Sequence, residues 1–143
     1  MSTTNYSFDS IILNYAGVTI SDYAADNDSI TVEYNSDNFT KTVGNDGNVV
    51  INKNLDQTGI FRFNLMQNSK INGILSGLWN TAYNGVFSTA PISLTDLDSN
   101  TLSAAAEAWI IKIPKLTYGK EINSVQWGIE CAKLQSFIGG SSL

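Results

Sequence analysis

The 143-residue chain contains no histidine. That absence removes the commonest general acid/base and the commonest metal ligand, and with them every Ser-His or Cys-His arrangement for nucleophilic catalysis. Its one cysteine, Cys131, has no partner for an internal disulfide, and one cysteine without histidine leaves no zinc site of the usual kind. Cys131 reads as a structural thiol in a strand, and the chain is expected to fold without an oxidising compartment. Charge is also scarce. Asp, Glu, Lys and Arg make up 15% of the residues, against about 25% in an average soluble protein. Thirteen acids against eight bases give a net charge of −5, the wrong sign for a protein that holds nucleic acid through its phosphates. No run approaches the roughly 18 apolar residues of a membrane span; the most apolar stretch, 104–113, is broken by Glu107 and Lys112. The first residues lack the basic start and apolar stretch of a signal peptide, so no cleaved leader is expected. Gly119 and Lys120 are followed by Glu121 and lack the upstream glycine of a P-loop, which removes nucleotide binding of that kind.

What is present is apolar material, 43% of the chain, arranged with a period of two. Length and the lack of a Pro- or Ser-rich divide predict a single domain over 1–143. Strands are expected over 6–13, 30–35, 38–43, 48–54, 60–66, 92–97, 102–113 and 123–137, with a loop over 14–28. Ile30, Val32 and Tyr34 share one face of their strand; Phe61, Phe63 and Leu65 share one face of theirs. Asp46-Gly47 between two β-branched runs marks a hairpin. The period changes once. Ile71, Ile74, Leu75 and Leu78 stand at helical spacing behind Asn68 and Ser69, which predicts one helix over 69–80. Its Gly73 and Gly77 each lower helix propensity by about 1 kcal/mol relative to Ala, so packing must hold it. The Ala104 to Ala106 run favours helix, but Trp109-Ile110-Ile111-Lys112-Ile113 leading into Pro114 favours strand, and strand is the reading taken. The fold class is therefore mainly β, a sandwich or barrel with one helix over a side or end. A surface rich in Asn, Ser, Thr and Gly and poor in charge fits a protein covered by neighbours; an uncharged monomer fits nearly as well.

Other chemistry is weaker. Asp96, Asp98 and Asn100, with Glu107 at the twelfth position, imitate a calcium loop. Thr101 stands where that loop requires glycine, and Pro91 where its entering helix should be, so a plain turn is expected. Asp22, Asp26 and Asp28 cluster as a solvated acidic loop, without the placement across a substrate that glycoside hydrolysis requires. Trp79, Tyr83, Trp109, Tyr118 and Trp127 could stack on sugars, but Trp109 and Trp127 lie in alternating apolar strands, where core or interface packing is the expected role.

Read together, Tyr6-Ser7-Phe8, Ile30-Thr31-Val32-Glu33, Val43-Gly44-Asn45-Asp46-Gly47, Thr58-Gly59, a helix opening near Ser69, the Trp109 to Pro114 stretch, Leu116-Thr117-Tyr118-Gly119-Lys120, Trp127 and Ile138-Gly139-Gly140 resemble the tail tube proteins of contractile-tailed bacteriophages and prophages. The resemblance runs from residue 6 to residue 140 and keeps the order of its parts. It implies a non-enzymatic structural subunit with a β-sandwich-like fold and one helix, without cofactors or metals. It implies hexameric rings that stack into a tube inside a contractile sheath and let DNA pass into the host. Implied partners are other copies of the chain, sheath, baseplate and tail terminator proteins, with no membrane binding. The implied location is the virion tail, assembled in the bacterial cytoplasm. Within that frame the hairpin tip at Asn45, Asp46 and Gly47 is the candidate inter-subunit contact, and Glu33 a candidate channel-lining acid that leaves passing phosphates unheld. The alternatives are a tube-end relative, the tube of a headless particle or secretion system, and a small β-sandwich sugar-binding module that would stay monomeric.

Overall fold

A computed structural model describes residues 8–24 and 29–140. Tyr6, Asp26 and Asp28 lie outside them. After a 3-10 turn at Phe8–Ser10 come β1 (Ile11–Tyr15), β2 (Val18–Ile20), β3 (Ile30–Tyr34), β4 (Phe39–Val43), β5 (Val49–Lys53) and β6 (Gly59–Met66). Helix α1 (Lys70–Asn84) follows, then β7 (Ala90–Asp96), β8 (Thr101–Ile110), β9 (Ser124–Cys131) and β10 (Gln135–Phe137). Eight strands form one antiparallel sheet in the order β2-β1-β7-β8-β9-β6-β3, with β10 also on β8; among the described residues β4 and β5 pair only with each other.

The period-two pattern builds the core as expected. In β6, Phe61, Phe63 and Leu65 are fully buried while Arg62 and Asn64 between them are half-buried. They meet Val125, Trp127, Ile129 and Cys131 of β9 and, from the other half of the sheet, Leu13, Tyr15, Ile20 and Ile92 in one cluster. Each such large side chain contributes roughly 1.5–3 kcal/mol on burial.

Strand β8 lets one sheet enclose that core from both sides. Its first half pairs with β10 (Ser103 opposite Ser136) and its second half with β9 (Ala108 opposite Cys131), so two strands share one of its edges in succession. Against β7 the register slips between Ala90/Ala108 and Ile92/Ala105, which inserts one extra residue into β8. Burial shows the consequence: Ser103 and Ala105 point inward, Ala106 and Glu107 are both exposed, and Ala108 and Ile110 point inward again. The bulge resets the alternation so that both halves face the core while the strand bends. The alanine run is thus strand.

Several sequence expectations change. Residues 8–10 form a 3-10 turn rather than the start of a strand. The expected loop over 14–28 contains a tight hairpin, with Tyr15 opposite Val18 across Ala16 and Gly17. Both turn residues have positive φ, 53° and 80°, as a type I′ turn requires. The signal was hidden because alanine stands where Asn or Asp usually does. The strand expected over 123–137 is two strands, broken where the Leu134 N–H turns to Gln57 O at 2.8 Å and its side chain enters the core. The helix begins where expected, Ser69 Oγ accepting the Ile71 N–H at 3.2 Å. It runs a turn longer, to Asn84, and ends at Gly85, where a Cβ would lie 2.8 Å from the Thr81 carbonyl. Ile71 and Leu75 enter the core; Ile74 is 43% exposed, because the apolar stripe is narrower than the spacing suggested. Trp127 Nε1 donates to Asn72 Oδ1 at 2.9 Å and fastens helix to sheet.

Candidate assembly surfaces

The predicted hairpin exists but leaves the body of the protein. All ten residues of β4 and β5 are exposed on both faces, and neither strand pairs with the main sheet. Its tip closes as a three-residue loop: Gly47 N–H donates to Gly44 O at 3.0 Å, and Gly44 N–H to Asn48 O at 2.8 Å. Gly47 takes φ 85°, which glycine adopts without steric cost. Asp46 Oδ1 and Oδ2 accept from Asn48 N–H at 3.2 Å and Asn48 Nδ2 at 2.7 Å. Asn45, Asp46 and Gly47 are therefore together, exposed, at the end of a freestanding arm.

The arm is anchored by polar chemistry instead of apolar packing. Asp56 accepts from Thr58 Oγ1 at 2.6 Å, Thr58 N–H at 3.0 Å and Ser36 Oγ at 2.8 Å. Those bonds, Thr58's first, hold its carboxyl below the usual carboxylate range. Asn38 Nδ2 donates to Asp56 O at 3.1 Å, the Asn54 N–H to Asn38 O at 2.7 Å, and Asn35 Nδ2 to Thr58 Oγ1 at 3.0 Å. Both strands of the arm are thereby tied to β3 and β6 at the root.

Glu33 is exposed on β3, where Arg62 Nη1 of β6 donates to its Oε1 at 2.9 Å. Register puts Thr31, Glu33, Arg62, Asn64, Gln126 and Glu130 on one outward face of β3, β6 and β9. Lys112 flanks it. Two acids against two bases give this face polarity without a strong field.

The remaining sequence candidates resolve simply. Asp96 and Asn100 bracket the β7–β8 turn: Asp96 accepts from Ser99 Oγ at 2.8 Å above all, and from Ser10 Oγ at 3.0 Å and Asp98 N–H at 3.1 Å, which draws its carboxyl below the ordinary range. Trp127 is buried and Trp109 half-buried in the strands. Trp79 and Tyr83 stack at 4.9 Å on the helix, and Tyr118 is exposed on a loop. Cys131 is buried against Gly59 O at 3.5 Å, and burial raises its thiol pKa, as a packing residue requires. Among the described residues no helix is long and apolar enough to cross a membrane.

Sequence reading missed how apolar the arm is. Register puts Phe39, Val43, Val49 and Ile51 on one of its faces, with Lys41 and Lys53, and leaves Thr40, Thr42, Val50 and Asn52 on the other. The pattern was visible as alternation; that none of the described residues covers it was not.

No curated protein matches the chain. Solved structures show the fold. The sheath/tube terminator of an extracellular contractile injection system, PVC, in its extended state, superposes with TM-score 0.64 at 9% identity, covering 96% of this chain and 99% of that one. The tube-terminating cap of the anti-feeding prophage gives TM-score 0.65 at 9% identity, covering 97% and 95%. The family model of the bacteriophage PhiTE tail tube protein matches residues 1–139, and this chain belongs to that family of structural, non-enzymatic tail tube proteins.

Proposed function

We propose that the protein is the repeating subunit of a phage tail tube. Copies associate into hexameric rings, the rings stack inside a contractile sheath, and the channel passes DNA to the host. The observation that carries this reading is the family match over nearly the whole chain. The arm adds a physical argument, since a monomer gains nothing from a hairpin with an exposed apolar face, whereas an assembling subunit uses it as a contact. The contact at Asn45, Asp46 and Gly47 is the end of that arm.

The face carrying Glu33 is the channel surface in this reading. A lining of Thr31, Asn64, Gln126 and a Glu33–Arg62 pair neither grips phosphates nor carries the basic field that would hold DNA in place. Sheath, baseplate and terminator proteins are the partners, the location is the virion tail, and assembly takes place in the bacterial cytoplasm. A strongly positive lumen in the assembled tube would remove the channel assignment.

A second reading is favoured by the two solved structures, both tube terminators: the chain is a ring that closes the tube. Negative-stain electron microscopy over a concentration series separates the two. Stacked tubes of uniform width are expected for a repeating subunit and single rings for a terminator. Monomers at every concentration, including on preformed tube ends, would overturn both.

A further inference from the structure

The arm needs a receiving surface, and the main sheet offers one. On the outer side of β1, β7, β8 and β10, register aligns two neighbouring rows: Ile12, Thr95, Leu102 and Phe137, then Asn14, Ser93, Ala104 and Gln135. The second row floors an open groove of about 580 Å³ edged by Gly17, Ala106 and Ala132. The first row carries exposed Leu102 and Phe137, with Leu97 and Ile138 exposed beside it. A sheet face floored by small side chains and rimmed by large apolar ones accepts a second β layer, because facing sheets lie about 10 Å apart only where side chains interdigitate.

Charge matches as well. The arm's apolar face carries Lys41 and Lys53 and no acid. The groove is lined by one acid, Glu107, and one base, Lys133, which balance, and exposed Asp98 on the turn beside Leu97 leaves the surface net acidic by one charge. Opposite net signs on two apolar surfaces of one chain favour their meeting over self-contact of either.

Resting on the tube-subunit reading, we propose that the Phe39, Val43, Val49 and Ile51 face of one copy's arm seats on the Leu102, Phe137 and groove surface of a second copy. The donor and acceptor patches differ, so every copy gives one arm and receives one, and in the tube-subunit reading these contacts run head to tail around a ring or between rings. A six-residue arm face is small beside the roughly 800 Å² per partner of a stable interface, so a single contact is weak and gains strength when many form together.

Disulfide trapping tests this without requiring stable assembly. Separately purified Ile51→Cys and Phe137→Cys proteins are mixed with oxidised glutathione and compared with Ile51→Cys mixed with Tyr118→Cys, whose thiol is at least as exposed. At least five-fold faster heterodimer formation by the first pair is expected. Equal rates overturn the contact. In the assembly assay, Ile51→Asp and Phe137→Asp each abolish tubes or rings, and mixing them does not restore assembly, because only one contact per pair remains. Normal assembly by Phe137→Asp would also overturn it, and would send the arm to another partner such as the sheath. Tubes without trapping sink this contact alone; trapping without rings or tubes sinks the tube reading alone.

Discussion

Two antiparallel hairpins of this chain look alike in sequence and serve opposite ends. The β1–β2 hairpin places Leu13, Tyr15 and Ile20 in the core, closes on a tight two-residue turn and receives β7 along its other edge. The β4–β5 hairpin has strands of five residues each, keeps the same alternation and buries none of it. An isolated two-stranded hairpin is marginal in water, so the arm persists through its own ladder and the Asp56 knot at its root. Alternation therefore identifies a strand with one apolar face; whether that face belongs to the molecule's own core or to another subunit depends on what the rest of the chain packs against it. Here the β1–β2 hairpin gives its apolar face to the core of its own chain, and the arm leaves its apolar face exposed.

The largest effect that can break this contrast is truncation of an aromatic on each side. Phe63→Ala empties a fully buried site and is expected to cost about 3–5 kcal/mol. Phe39→Ala, on the arm, is expected to stay within about 0.5 kcal/mol. Urea unfolding followed by tryptophan fluorescence reads both. A comparable loss from Phe39 would mean that the arm packs on its own subunit in solution.

Next comes the junction between the two regions. A Cβ at Gly59 would lie 2.9 Å from the Glu33 carbonyl and press into the Leu134 side chain. Gly59→Ala therefore overpacks the start of β6 and is expected to cost about 1–3 kcal/mol. An effect on assembly without an effect on unfolding would relocate this glycine from the body to the arm.

Smaller again is the turn of the core-facing hairpin. Ala16 holds φ 53°, a conformation that costs an L-residue roughly 1–2 kcal/mol and glycine nothing. Glycine gives back about 0.4–1 kcal/mol through the freedom of the unfolded chain. Ala16→Gly should raise stability by roughly 0–1.6 kcal/mol on this difference, seen as a higher urea midpoint at unchanged slope. Gly47→Ala, its counterpart at the arm tip, should leave the midpoint unmoved and weaken assembly, because the tip contributes nothing to the core.

Most of the body was legible before the structure, because burial obeys local periods. Phe61, Phe63 and Leu65 announced their face, Ser69 and the Ile71–Leu75 spacing announced the helix, and Asp46-Gly47 announced a turn. Where the chain departs from the commonest residue for a geometry, the reading failed: Ala16 concealed a hairpin, and Leu134 interrupted a segment that reads as one strand. The sharing of β8 between β9 and β10 was invisible, since a bulge among three alanines has no strong local signature. For the surfaces, residues 45–47 form an exposed hairpin tip and Glu33 is exposed on β3, while their roles in assembly remain proposals. Their surroundings were not legible, because Arg62 beside Glu33 and the outer row of Leu102 and Phe137 are brought together by register between distant segments.

The smallest global effect, and the sharpest local one, belongs to Asp56. Its carboxylate accepts three hydrogen bonds that an amide reproduces only in part, because an asparagine side chain there would offer one acceptor oxygen and turn a donor toward Ser36 or Thr58. Asp56→Asn should leave the unfolding midpoint of the body nearly unchanged and raise amide exchange at Asn54 and Thr58, where the arm joins. The pH dependence has the same origin. The folded carboxyl titrates below its unfolded value, so its contribution is complete above the ordinary carboxylate range and is lost as pH falls through the depressed pKa. The root of the arm is thus tight throughout the neutral range and loosens only in strong acid. Exchange at Asn54 that rises on acidification in the native protein, once corrected for intrinsic rates, and stays flat in Asp56→Asn would tie the arm to this carboxylate. Parallel profiles in the two would assign its anchoring to the backbone bonds alone.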